Sequence, residues 1–175
     1  MPFWGEYGQT KRICERVRSQ LASRGHGAEI VPIQQCSLGP DDADAILIGA
    51  SIRHGKHDPS VLQFILNHRT LLESKPSAFF SVSLIARKPT RNTPETNPYV
   101  KAFLARSPWK PRLVGVFGGE LDYQRYGLFN RYAIRLIMKI NRGPTDLNTK
   151  VEFTDWDEVN RFAARYGALL ESQSA

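Results

Sequence analysis

Ser77-Ala78-Phe79-Phe80-Ser81-Val82-Ser83-Leu84-Ile85-Ala86-Arg87-Lys88-Pro89-Thr90-Arg91-Asn92-Thr93-Pro94 is the stretch whose reading decides the fold. Its first half is short, apolar and rich in aromatics, as a buried strand is. Its second half is a basic, hydroxyl-rich loop broken by two prolines. In open α/β sheets, ligands sit just beyond the carboxyl ends of strands. Hydroxyls, backbone N–H groups and cations at that place suit an anionic or planar ligand.

The flanking sequence alternates between two periodicities. Ala45-Ile46-Leu47-Ile48-Gly49-Ala50 is a second apolar run of strand length, and Leu113–Phe117 is a third, ending in Gly118-Gly119. Ala28–Ile33 reads as a shorter strand and Val151-Glu152-Phe153 as the last. Between them lie helical patterns. Ile13, Val17 and Leu21 recur every four residues in Thr10–Arg24. Further helices are expected over Pro59–Leu72, Thr96–Ala105 and, capped by Asp155, through Val159, Phe162, Tyr166 and Leu170. Strands alternating with helices imply a parallel sheet covered on both faces. With no repeat, low-complexity tract or linker, residues 1–175 read as one domain.

Composition narrows the function. A net charge of +7 favours an anionic partner, whether a small molecule, a lipid surface or a nucleic acid. No nucleic-acid motif accompanies it, and none is expected as partner. Cys14 and Cys36 lack metal-ligand spacing and read as two reduced thiols. His54 and His57, with Gly55 between them, do not make a ligand set, so no metal is expected. No run approaches the roughly 18 apolar residues of a membrane span. The start, Met1-Pro2-Phe3-Trp4, does not read as a signal peptide.

Two places break the pattern. Before the first helix stands only Met1–Gln9, in which Pro2 cannot donate to a ladder. Residues 1–6 are expected to form a degraded strand, or else the strand is completed upstream. Gly8-Gln9-Thr10 nevertheless opens that helix as the end of a phosphate-binding loop would, although a glycine and threonine there also serve as a plain cap. The second is an excursion at about 119–150. Within it Gly127–Asn141 reads as a helix, with Arg131, Arg135, Lys139 and Arg142 on one face and Phe129, Tyr132, Leu136, Ile137 and Ile140 on the other. Such a helix either packs on the body or lies on a membrane surface.

Taken together, Gly49-Ala50-Ser51-Ile52-Arg53-His54-Gly55, Ser77–Asn97 with Ala86-Arg87-Lys88-Pro89 inside it, Leu136-Ile137-Met138-Lys139 and Thr154-Asp155-Trp156 resemble the bacterial menaquinone-dependent protoporphyrinogen oxidases. The resemblance spans about Gly8–Leu170 and departs at Gly5-Glu6-Tyr7, where the family has a full strand and a Thr-Arg-Asp-Gly-Gln-Thr-type loop. It implies a flavodoxin-like α/β fold, a doubly wound parallel sheet of order 2-1-3-4-5 with a short first strand and a helical insert in the fifth-strand region. It implies FMN as cofactor, held by Gly8, Gln9 and Thr10 at the phosphate. Ser51, Ile52, Arg53, Ser81, Val82, Ser83 and Leu84 would lie along the ring edge, with Gly118, Gly119, Glu120, Leu121 and Tyr123 flanking it. Arg87, Lys88 and Arg91 would meet the propionates of the substrate. The implied reaction oxidises protoporphyrinogen IX to protoporphyrin IX in haem biosynthesis, with menaquinone or ubiquinone as acceptor. The protein would be peripheral on the cytoplasmic face of the inner membrane, docked through the helix at 127–142. No acid or base catalyst stands out. The competing readings are a flavodoxin-type electron carrier and a remnant unable to bind FMN because its first strand is lost.

Overall fold

The computed structural model describes residues 2–4, 8–39, 41–125, 128–140 and 143–172, with backbone alone for 2–4, 125, 128–130 and 137. The main sheet contains β1 (Pro2–Trp4), β2 (Val31–Pro32), β3 (Ile46–Arg53), β5 (Ser77–Ser83) and β6 (Leu113–Gly118), in the order β2-β1-β3-β5-β6. All four junctions are parallel. Counting these five strands along the chain, the order is 2-1-3-4-5, as expected. Between β3 and β5, β4 (Lys56–His57) folds back antiparallel on the end of β3.

β5 is buried at every position, which is why its sequence is nearly continuous in apolar and small residues. Ala78, Phe80 and Val82 face α1 (Gln9–Ala22) and α6 (Trp156–Glu171), where they meet Ile13, Val17, Phe162 and Tyr166. Phe79 faces the other way, toward α2 (Pro59–Asn67), and joins Ile46, Ile48, Ile65 and Phe103. The helix expected over Pro59–Leu72 is interrupted at His68, whose backbone leaves helical geometry, and α3 (Arg69–Ser74) follows. α4 (Pro98–Arg106) is capped by Asn97, which accepts from the N–H groups of Tyr99 and Val100. Asp155 caps α6 in the same way, accepting from Asp157 and Glu158.

The expected short first strand is present as three residues. It is placed centrally, with Pro2 and Phe3 against Val31 and Pro32 and with Phe3 and Trp4 against Gly49 and Ala50. The excursion leaves the sheet after β6 and is bracketed by β7 (Glu120–Asp122) and β8 (Lys150–Glu152), which pair antiparallel as a separate ribbon. It carries α5 (Leu128–Ile140) and has its own small core of Leu121, Tyr123 and Met138, with Ile134, Leu147 and Phe153 against it.

Candidate cofactor site at the strand ends

The sheet reverses direction of growth between β1 and β3, and a ligand crevice is expected there. The register brings the strand ends to one level: Trp4 lies beside Ala50, Ser51 beside Val82, Val82 beside Phe117 and Ser83 beside Gly118. α1 begins at this edge. Its cap is Gly8 at φ 85°, with open space where a Cβ would stand. The first turn holds no acidic side chain, and its N–H groups have no intrahelical acceptor. The Thr10 hydroxyl is buried there without a hydrogen-bond partner among the described residues. An orphaned buried hydroxyl at the positive end of a helix dipole fits an anion such as a phosphate.

The Gln9 side chain is engaged within the protein. It is buried, and its amide nitrogen donates to Glu152 Oε1 at 3.0 Å and Thr154 Oγ1 at 2.6 Å. Arg12 donates to Gln9 Oε1 at 2.9 Å and to Glu152 Oε2 at 3.2 Å. The Thr154 hydroxyl donates onward to the Gly118 carbonyl at 2.7 Å. The Gly119 N–H donates to the Ser83 carbonyl, and Phe153 N–H to the Gly119 carbonyl. The start of α1, Ser83, Gly118 and Gly119 are thus tied into one rim, and the return of the excursion is the tie. Reading the sequence missed the roles of Glu152 and Thr154; Thr154 entered it only through the resemblance.

Other expected site residues are spread more widely. Ser51, Ile52 and Arg53 are half-buried along the last turn of β3, where Ile52 and Arg53 pair with His57 and Lys56 of the hairpin. Val82 is buried in the main core. Ser83 also has a buried hydroxyl without a partner among the described residues, on the same edge as Thr10. Ser81 is fully buried, with its Oγ 2.8 Å from His57 Nε2. Glu120 is half-buried beside Lys150 at 3.6 Å. Leu121 and Tyr123 are buried inside the excursion, and the Tyr123 hydroxyl donates to the Pro144 carbonyl at 2.7 Å. Arg87 is half-buried, donates to the Leu84 carbonyl and lies 5.8 Å over the Phe153 ring. Lys88 is half-buried next to it, and Arg91 is exposed on the loop that Asn97 fastens by donating to the Arg91 carbonyl.

Thiol chemistry finds no support here: burial pushes the Cys14 thiol up to about 12, so its reactive thiolate is not formed at neutral pH. The His57 imidazole is held neutral, its pKa lowered to about 4 by burial.

A flavodoxin domain model matches residues 2–148. Protoporphyrinogen IX dehydrogenase (quinone) of Escherichia coli K12 is 39% identical over 165 residues, which are 94% of this chain and 91% of that protein. The protein of the same name from Leishmania major is 42% identical over 164 residues, 93% of this chain and 71% of its own. The chain belongs to this flavodoxin-like dehydrogenase family. Solved structures agree on the fold alone. Rubredoxin oxygen:oxidoreductase of Desulfovibrio gigas aligns with 99% of this chain and 36% of its own at TM-score 0.54 and 11% identity. A mutant flavodoxin from Pseudomonas aeruginosa aligns with 97% of this chain and 96% of its own at 0.51 and 13%. The family's fold implies a flavin at the switch point, where the orphaned Thr10 hydroxyl and the Gly8 cap lie. The dehydrogenase relatives are oxidoreductases, as the sequence reading expects of this chain.

Proposed function

We propose that this protein is an FMN-dependent protoporphyrinogen IX oxidase that passes electrons to a membrane quinone in haem biosynthesis. The observation that carries the reading is the buried, unpartnered Thr10 hydroxyl at the start of α1. It is a phosphate seat at the switch point of a chain that aligns over 94% of its length with a protoporphyrinogen IX dehydrogenase (quinone).

FMN supplies the two-electron chemistry that no side chain of this protein offers. The protein's share is binding and orientation. Gly8 leaves room for the phosphate, and Thr10 and the first-turn N–H groups hold it. Ser83 and Gly118, braced by Gly119 and Thr154, would border the ring edge. Arg87, Lys88 and Arg91, on the segment that follows β5, are the cations suited to two propionates. Going from porphyrinogen to porphyrin removes six hydrogens, six electrons and six protons together, and reduces three quinones to quinols.

The quinone lives in a bilayer, and α5 offers a face to one. Tyr132, Leu136 and Ile140 follow one another at four-residue spacing and are 56%, 59% and 73% exposed. Arg135 and Lys139, also exposed, flank them. The helix is thus apolar on two sides, because Ile134 and Met138 face the excursion's own core. Arg131 leaves the expected basic face and donates to the Tyr123 carbonyl at 2.9 Å. The side chains of Phe129 and Ile137, and Arg142 altogether, lie outside the described residues. Among the described residues no helix is long and apolar enough to cross a membrane. The reading is therefore of a protein lying on anionic lipid at the cytoplasmic face of the inner membrane.

The test is reconstitution. The purified chain with added FMN is expected to give a bound-flavin visible spectrum. With a quinone it should convert protoporphyrinogen to fluorescent protoporphyrin. Absence of bound flavin overturns the reading, and flavin binding without porphyrinogen turnover points to an electron carrier instead.

A further inference from the structure

Between α2 and α4, on the sheet face away from α1, lies a groove of about 340 Å³ that the cofactor rim does not use. Its size falls within the range of small-molecule sites. Leu62 and Leu66 line one wall, Tyr99 and Phe103 the other, and His57 closes it against the sheet. Leu66 is 52% exposed and forms an apolar lip.

His57 is the buried polar group of this groove. Its ring meets Phe79 edge-on at 5.5 Å and Phe103 at 4.7 Å, and Nε2 is engaged with Ser81 Oγ. Burial keeps the imidazole neutral at physiological pH. It therefore presents the groove with a polar ring that carries no charge. A carboxylate or phosphate pushed against it would lose hydration and gain no ion pair there. The cations that reach the groove, Lys56 and Arg106, are exposed to water. What suits such walls is a neutral planar ring, apolar on its faces and carrying carbonyl oxygens at its edge, with any alkyl chain leaving over Leu66.

The groove is also well placed. His57 pairs across the hairpin with Ile52, and Ser51–Arg53 runs along the cofactor edge. One two-stranded hairpin thus separates the groove from the rim. We propose that the α2–α4 groove binds the ring of the quinone acceptor. This rests on the functional reading above, which gives the chain a quinone as acceptor.

The experiment is a titration of the FMN-loaded chain with duroquinone, whose fully substituted ring does not add to thiols, followed by amide chemical shifts. Saturable movement at Gly55, Ala102 and Phe103 is expected. Ala102 is exposed on the groove wall, so Ala102→Trp fills the space without entering the core. It should abolish those shifts and raise the quinone KM at least tenfold, leaving the flavin spectrum and the porphyrinogen KM unchanged. Leu66→Glu, at a position already half in water, should weaken the same binding and serves as a second variant. Shifts confined to the flavin rim, or wild-type duroquinone binding by both variants, overturn the proposal. Groove binding without porphyrinogen oxidation supports the site and overturns the functional reading alone.

Discussion

Thr10 and Gln9 are neighbours with opposite duties. Thr10 keeps an unmet hydroxyl, whereas the Gln9 amide is fully spent on Glu152, Thr154 and Arg12. Thr10→Val should therefore act on the ligand and spare the fold. Removing an orphaned hydroxyl leaves the flavin-free chain as stable or up to about 1 kcal/mol more so, while losing a hydrogen bond to a charged group weakens FMN about tenfold to a hundredfold. Urea unfolding without flavin and a flavin-fluorescence titration check the two halves; equal FMN affinity would remove Thr10 from the phosphate seat. His57 gives a pH signature. Its pKa in the fold, about 4, lies below the ordinary 6.5, so in that window the unfolded chain binds more protons and stability falls as pH falls. Between pH 7 and pH 5 the loss should be about 2 kcal/mol. His57→Gln does not titrate, and its urea midpoint should show a correspondingly flatter pH dependence. An identical slope in both proteins would place the sensitivity elsewhere.

At the scale of elements, legibility follows burial. β5 and the first five residues of β3 could be read because they are buried on both faces and nearly continuous in apolar and small residues. β4 could not: two residues, Lys56 and His57, carry no alternation. β1 was read as weak, yet it sits inside the sheet, because ladder pairing on both sides supplies what three residues and a proline lack. In the site, Gly8 and Thr10 were legible as the opening of a helix. The commitment of Gln9 was not, since its partners lie 143 and 145 residues away. The period of α5 was legible but its facing was not, because apolar residues occur on both sides and only packing shows that Ile134 and Met138 turn inward. The outward stripe makes a prediction for the element. Replacing Tyr132, Leu136 and Ile140 by Ser should abolish binding to vesicles rich in anionic lipid. Arg135→Glu with Lys139→Glu should remove at least about 2 kcal/mol of attraction, roughly thirtyfold in partitioning, and the salt dependence with it. Partitioning equal to wild type in a sedimentation assay would leave α5 without a role at the membrane.

At the scale of the whole molecule, the excursion and the sheet meet at one tight joint. An added Cβ at Gly118 would lie 2.2 Å from the Phe153 carbonyl oxygen, a backbone atom that cannot rotate away. At the adjacent Gly119 it would meet Val82 Cγ1 at 3.4 Å and nothing closer. The two glycines are a matched pair: the same methyl, one residue apart, one pressed on the return strand and one nearly clear of it. Gly118→Ala must push β6 and the segment after β8 apart, at a cost of about 1–3 kcal/mol. The same shift pulls Thr154 from the Gly118 carbonyl, and Thr154 is what Gln9 holds at the start of α1. FMN affinity should therefore fall with stability in Gly118→Ala, although the methyl touches no part of the phosphate seat. Gly119→Ala should cost less than half as much in urea unfolding and leave the flavin titration near wild type. If the two variants behave alike in both measurements, the excursion is not the brace of the cofactor rim, and the Gln9–Thr154–Gly118 chain of hydrogen bonds is packing without consequence for binding.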